Sequence, residues 1–245
     1  KEYQTKFPNI IRILDRGRNL GMMPNSLDTL SQCRGKYIAV CEGDDYWTDP
    51  LKLQKQYDHI ISKGLTLSYH EGIIAYQNNV NEEQHHIPLN KETGVYDVQD
   101  ILKLGPLTSS MMFAKKDFFP TPPFYNQSIS GDHTVQILLA LKGKIDCIRE
   151  VMTVYRQHAA GLTTLMDPRK WLQNRIEIAR QILNYSDSPD KKYLHPHIHD
   201  LYISTALNHR ISKIDGLVLL FKAILNYPKC LVTETRKHLY YCKQI

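Results

Sequence analysis

An apolar run that ends abruptly in acid constrains this chain more than any other feature. Tyr37-Ile38-Ala39-Val40-Cys41 is unbroken, as strands buried on both faces are, and Glu42-Gly43-Asp44-Asp45 follows at once. Upstream, Ile10-Ile11-Arg12-Ile13-Leu14 predicts another short strand. Between the two, Asn25 offers a cap for a helix in which Leu27, Leu30 and Cys33 share one face and which Gly35 ends. Strand, helix, strand predicts a βαβ unit with two parallel strands. Ligands of open α/β sheets bind beyond the carboxyl ends of strands, and the acidic cluster falls at such an end.

The rest of the chain carries the same alternation as far as residue 165. Asp49-Pro50 predicts an N-cap with proline at the first helical position, and Leu53, Tyr57, Ile60 and Ile61 are the expected inward face of a helix closed by Gly64. Residues 65–76 read as extended, residues 78–90 as a polar loop with Glu82, Glu83, His85 and His86, and residues 108–114 as a strand. A helix over 132–141 closes at Gly143, and residues 144–148 and 151–155 read as two short strands. After Asp167-Pro168 the spacing becomes helical, at Trp171, Ile176, Ile178, Ile182 and Leu183 and again over 198–212 and 214–226. With 245 residues, the chain has room for an α/β domain over 1–165 and a helical region over 166–245.

Charge and cysteine usage narrow the partners. Thirty-one Lys+Arg against 25 Asp+Glu leave +6, which favours anionic ligands such as diphosphates or an acidic membrane surface. No Lys/Arg block of the kind that tracks a phosphate backbone is present, so nucleic acid is not expected. Cys33, Cys41, Cys147, Cys230 and Cys242 are odd in number and widely spaced, which predicts reduced thiols in the cytoplasm. Gly216-Leu217-Val218-Leu219-Leu220-Phe221 stops at Lys222, far short of the ~20 residues that span a bilayer. The run from Leu194 to His199 holds three histidines but no carboxylate or thiol at ligand spacing, and is expected to be a solvated turn.

Adjacent carboxylates leaving a buried strand are costly unless something positive meets them. A hard divalent cation meets that need, Mg²⁺ typically taking one or two carboxylates plus phosphate oxygens. An acidic turn that merely precedes a helix is the plain alternative. Asp132 has one as well, since it is placed to cap its own helix, and Tyr46 and Trp47 either stack on a sugar or pack against the helix after Asp49.

The segment 35–47, Gly-Lys-Tyr-Ile-Ala-Val-Cys-Glu-Gly-Asp-Asp-Tyr-Trp, closely resembles the donor-site motif of family 2 glycosyltransferases, which have the GT-A fold. Asn19-Leu20-Gly21 and Asn25 resemble the family's pattern before that motif, and Ser130-Gly131-Asp132 its catalytic segment. Gly143-Lys144-Ile145, with Tyr155-Arg156-Gln157-His158 and Gly161, resembles its closing segment. Order and separations agree over residues 8–163. The resemblance implies a GT-A-like (Rossmann-like) mixed sheet flanked by helices. It implies Mg²⁺ or Mn²⁺ on Asp45, with Asp44 and His158, and Asp132 as the base that takes the acceptor's proton. Asn19, Gly21, Asn25, Glu42, Asp44 and Arg156 would meet a nucleotide-sugar donor, and Trp47, Ser109 and Ser110 a sugar or lipid-linked acceptor. The metal would neutralise charge growing on the departing diphosphate, and a positioned carboxylate would help a hydroxyl attack, with inversion.

The family ordinarily opens with a strand, a helix and a second strand that hold the nucleotide base, and nothing here matches them. That leaves an N-terminally truncated fragment or a degenerate, inactive relative, and the intact acids favour the fragment; Glu42 stands where the family often has Asp. Two other readings stay open: a metal-dependent nucleotidyltransferase, disfavoured by the lack of a Gly-rich phosphate loop, and a non-catalytic binding module. The basic, amphipathic segments after residue 213 fit the inner face of a membrane, or packing on the domain or on a second copy in a homodimer.

Overall fold

The computed structural model describes residues 2–76, 84–86, 95–103, 105–159, 161, 165–207 and 212–230. The elements in chain order are α1 (Glu2–Lys6), α2 (Met22–Ser31), β1 (Tyr37–Ala39), β2 (Tyr46–Trp47), α3 (Lys52–Lys63), β3 (Leu67–Tyr76), β4 (Gln84–His86), β5 (Val95–Tyr96) and α4 (Val98–Lys103). They continue with β6 (Met112–Ala114), α5 (Lys115–Phe118), α6 (Gly131–Lys142), β7 (Ile145–Gln157), α7 (Pro168–Tyr185), α8 (Leu194–Ala206) and α9 (Lys213–Asn226). Short 3₁₀ turns stand at Thr108–Ser110, Pro123–Gln127 and Pro189–Tyr193.

The strands form one mixed sheet in the order β1-β6-β3-β7-β2, with β4 added on β3 and β5 on β7. Its centre is the parallel pair β3 and β7, which runs from Leu67 opposite Ile145 to Tyr76 opposite Gln157. The other pairings are antiparallel. Leu67, Tyr69 and Ile145 are buried, as central strands covered on both faces require. On one face, α6 packs Val135, Leu138 and Leu139 into the main core. On the other, α3 lays Ile60 against Leu65 and Met112. This is the mixed α/β architecture, a sheet flanked by helices, that the resemblance implies.

Several local expectations are corrected. Residues 10–14 form no strand: no described strand runs beside them to share a ladder. Side chains tie this stretch to α2 instead, Arg12 to Gln32 and Arg16 to Asp28 and Thr29, and Ile10 is exposed. The parallel βαβ unit is therefore absent, and β1 instead pairs antiparallel with β6. The helix expected to start at Asn25 starts at Met22, because Gly21 at φ 80° makes the sharp entry that a side chain would resist. Asp49 does not cap α3 directly: its Oδ1 accepts from Leu51 N at 2.7 Å, a turn that precedes the helix.

The inward face of α3 is rotated from the expected one. Lys52, Gln56 and Ile60 are buried, while Leu53, Tyr57 and Ile61 are exposed. Gln56 Nε2 donates to the backbone carbonyls of Ser68 and Ser110, at 3.0 and 2.8 Å, so a polar side chain takes a place that hydrophobicity alone assigns elsewhere. The segment 108–114 divides into a 3₁₀ turn and the short β6. The two strands expected over 144–155 are one, β7, with a register shift where Arg149 and Glu150 interrupt the apolar pattern.

The helices after Asp167 close the same core. Ile176, Ile182, Leu194, Ile198 and Leu201 belong to one buried cluster with Phe113, Leu139 and Ile145. The histidine-rich run is no solvated turn but the start of α8, because Leu194 and Ile198 are drawn into that core and carry His199 in with them. α9 packs against α8. It buries Leu220 and Ala223 and leaves Ile214, Leu217, Val218, Phe221 and Leu225 outward. Among the described residues no helix is long and apolar enough to cross a membrane. Most of the expected loop over 78–90, with Glu82 and Glu83, and the tail with Arg236, Lys237, Cys242 and Lys243 lie outside the described residues.

Candidate active site

The acidic turn forms because β1 ends at Ala39 while the chain must reach β2 on the far side of β7. Val40 N still donates to Met111 O at 3.1 Å, and Asp45 N closes the turn on Glu42 O at 3.2 Å. Asp45 then points inward. Its Oδ1 accepts from Arg156 N at 3.0 Å, and its Oδ2 is buried without a hydrogen-bond partner among the described residues. The Arg156 guanidinium bonds Asp44 O and stands over the Tyr46 ring, 5.9 Å away, so β7 clamps the turn.

A cleft of about 610 Å³ opens in front of this turn. Its walls include Met23 and Asn25 of α2, Glu42 and Asp44 of the turn, Thr108, Asp132 at the start of α6, and Arg156 and His158 at the end of β7. His158 Nε2 lies 3.4 Å from Asp44 Oδ2. Thr108 Oγ1 donates to Asp132 Oδ2 at 3.0 Å. The N-cap of α6 is Ser130, so Asp132 is not the cap but a first-turn residue facing the cleft.

Crowding of like charge sets the electrostatics. Glu42 is pushed up to about 7, first by desolvation at the cleft wall and then by Asp132, Asp45 and Asp44. Burial raises Asp45 as well, opposed by the Arg156 N–H and the Ser109 hydroxyl. Such a site takes a cation or a proton more readily than further negative charge.

The structure thus brings Asn25, Glu42, Asp44, Asp132, Arg156 and His158 to one cleft, while Asp45 is buried behind its wall and other expected site residues also stay out of the lining. Asn19 Oδ1 accepts from Gly21 N at 2.8 Å, and the two shape the entry to α2 rather than line the cleft. Trp47, Ser109 and Ser110 form the layer behind the wall, because their polar groups are spent internally. Trp47 Nε1 donates to Ser109 O at 2.8 Å, Ser109 Oγ accepts from Thr153, Ser110 Oγ donates to Leu107 O, and both serines are fully buried. Below Trp47 lies Lys52, buried, with its ammonium 3.9 Å from the centre of the indole ring. Trp171 and Arg175 of α7 line the cleft too. Their i, i+4 spacing marks one helix face, but sequence spacing does not say that the face meets a cleft.

A divalent cation fits this donor set. Asp45 Oδ2 lacks a partner among the described residues, Asp44 Oδ2 lies 3.4 Å from His158 Nε2, and the carboxylate oxygens are ligands that hard cations take. Among the described residues no three His, Cys, Asp or Glu side chains form a ready-made metal site, so oxygens of a bound diphosphate would complete the shell.

Comparison with known proteins agrees with this geometry. The family described as Glycosyl transferase family 2 matches residues 1–119. Uncharacterized protein Rv1520 of Mycobacterium tuberculosis (strain ATCC 25618 / H37Rv) is 32% identical over 178 residues, 71% of this chain and 50% of that protein. Uncharacterized protein Mb1547 of Mycobacterium bovis matches to the same extent. The chain spans half the length of these curated relatives. Residues 1–119, with their strand-end acids on the cleft, are thus similar to glycosyl transferase family 2.

Proposed function

We propose that the protein transfers a sugar from a nucleotide-sugar donor to an acceptor hydroxyl, with inversion, in the synthesis of a cell-surface polysaccharide or glycan. One observation carries the reading: carboxylates from separate stretches of chain, Glu42 and Asp44 from the turn and Asp132 from α6, line a single cleft of about 610 Å³. Asp44, Asp45 and His158 would hold Mg²⁺ or Mn²⁺, which supplies charge neutralisation at the departing diphosphate. Arg156 fixes the acidic turn and adds positive charge beside it. Asp132 holds one oxygen against Thr108 and has a second for the proton of the attacking hydroxyl. Asn25 and Glu42 offer polar contacts to the nucleoside and its sugar. The outward apolar face of α9 completes the proposal as a peripheral contact with an anionic membrane, where a lipid-linked acceptor resides.

Incubation with a panel of nucleoside diphosphate sugars, with Mg²⁺ or Mn²⁺ and with EDTA, tests the reaction. Metal-dependent release of nucleoside diphosphate, faster with a sugar acceptor, is expected. Release of pyrophosphate would instead assign attack at phosphorus, and no release or nucleotide binding under any condition would leave a binding module.

A further inference from the structure

Helix α7 puts a cation, Arg175, on the cleft, apart from the residues given roles above. Trp171 and Arg175, one turn apart, line the same wall as Asp132. The guanidinium is held from behind: it lies over the Trp171 ring at 4.6 Å, and Trp171 Nε1 donates to Ser130 Oγ at 2.9 Å. Beside it lies the His133 ring, whose Nε2 is 3.2 Å from both Ile101 O and an Arg175 terminal nitrogen and whose Nδ1 is 3.4 Å from the same nitrogen. Burial and the neighbouring guanidinium hold His133 down to about 3, and the same two causes, in the same order, hold His197 down to about 3. The two histidines beside Arg175 are therefore uncharged.

Arg175 consequently lacks a counter-ion. No carboxylate among the described residues stands within ion-pair distance, Asp132 acts on it only from farther off, and its Nε is buried without a hydrogen-bond partner. A guanidinium stays charged in any such environment, and a half-buried charge without a partner is costly. A carboxylate or phosphate entering the cleft would relieve that cost with charge-assisted hydrogen bonds, whereas a neutral sugar would not. Were the role of Arg175 only to hold Asp132, a direct ion pair would be the economical arrangement, and the two do not form one.

We infer that Arg175, steadied by Trp171, is a subsite for an anionic group on the acceptor, so that the protein extends an acidic sugar, carrying a carboxylate or a phosphate, rather than a neutral one. The inference rests on the reading of Asp132 as the acceptor-side base.

Calorimetric titration of the full chain in EDTA, which removes any cation bridge to Asp44, compares methyl glucuronide, glucose 1-phosphate and neutral methyl glucoside. At least one charged probe is expected to bind about tenfold or more tighter than the neutral one, as a charge-assisted hydrogen bond provides. Which charged probe wins separates carboxylate from phosphate. Arg175→Met should abolish the preference and leave the neutral probe unchanged. Arg175→Lys, which keeps the charge and stem but not the planar fork, should reduce it and guards against a methionine variant that does not fold. Equal binding of all three probes, or an undiminished preference in whichever variant folds, overturns the inference. Nucleoside diphosphate titrated in parallel with Mg²⁺ reads the donor end separately, so a failed transferase reading and a failed subsite give different results.

Discussion

At the scale of single residues, Asp132 and Lys52 make opposite demands on their surroundings. Asp132 is exposed to the cleft and touches Thr108, so its replacement costs the fold little. Asp132→Asn is expected to lower kcat by about 10²–10⁴-fold, the usual worth of a general base, with nucleotide affinity nearly unchanged. A variant with normal turnover and a lowered melting temperature would reduce Asp132 to a structural residue. Lys52 is buried, and burial depresses it to about 7 from its ordinary 10.5. Between those values the folded state binds fewer protons than the unfolded chain, so stability rises with pH across that window and is lowest below about 7. The Trp47 face opposes this by favouring the ammonium, by about 2 kcal/mol when desolvated. Lys52→Met should therefore raise the melting temperature at pH 6.5 by about 3 °C and lose that advantage by pH 10.5, as thermal melts at the two values would show. The chemistry of the cleft was legible in the sequence where acids end a buried strand, as at Glu42 and Asp44. Lys52 and Arg175 were not legible, because a buried cation and an exposed one have the same sequence signature until the helix face is known.

Elements decide where those residues point. α6 begins against α2, and Gly131 is the contact: a Cβ there would meet Met23 Cε at 2.4 Å, Met23 Sδ at 2.8 Å and the Tyr125 hydroxyl at 3.1 Å. Met23 can swing aside, but it lines the cleft, so relief of the clash comes at the site's expense. Gly131→Ala is expected to cost about 1 kcal/mol, a melting temperature lower by about 3 °C, together with weaker nucleotide binding. Unchanged melting and unchanged affinity would mean that α6 approaches α2 less closely. The long elements α6, β3 and α7 were legible from period and punctuation, with Gly143 and Asp167 marking ends that the structure keeps. The misread elements share one cause, that local pattern does not report pairing. Residues 10–14 have the composition of a strand without a neighbour to bond, and β7 stays one strand through Arg149 and Glu150 because β3 runs beside it on both sides of the irregularity. The span of α3 follows from its sequence but its inward face does not, because Gln56 reaches two backbone carbonyls that no apolar side chain could satisfy.

At the scale of the whole molecule, α9 has two apolar faces, only one of them buried. Its inner face, Leu220 and Ala223, is buried in the core that α8 shares. Its outer face presents Ile214, Leu217, Val218, Phe221 and Leu225 to solvent, with Lys222 exposed among them. Apolar side chains in such a stripe, on a chain of net charge +6, match an interfacial helix on an anionic bilayer. Each basic residue near such a surface adds about 1 kcal/mol at low salt, an attraction that falls off as the Debye length shrinks. Co-sedimentation with vesicles containing phosphatidylserine should therefore capture the protein at low salt, weaken as salt is raised, and fail with neutral vesicles. Leu217→Asp with Phe221→Asp should abolish capture without lowering the melting temperature, since neither side chain is part of the core. A second copy on the same face would give another signature: concentration-dependent dimerisation without vesicles, lost in the same double variant. Sedimentation in neither form, for a folded protein at low salt, would leave the apolar face of α9 without a membrane role.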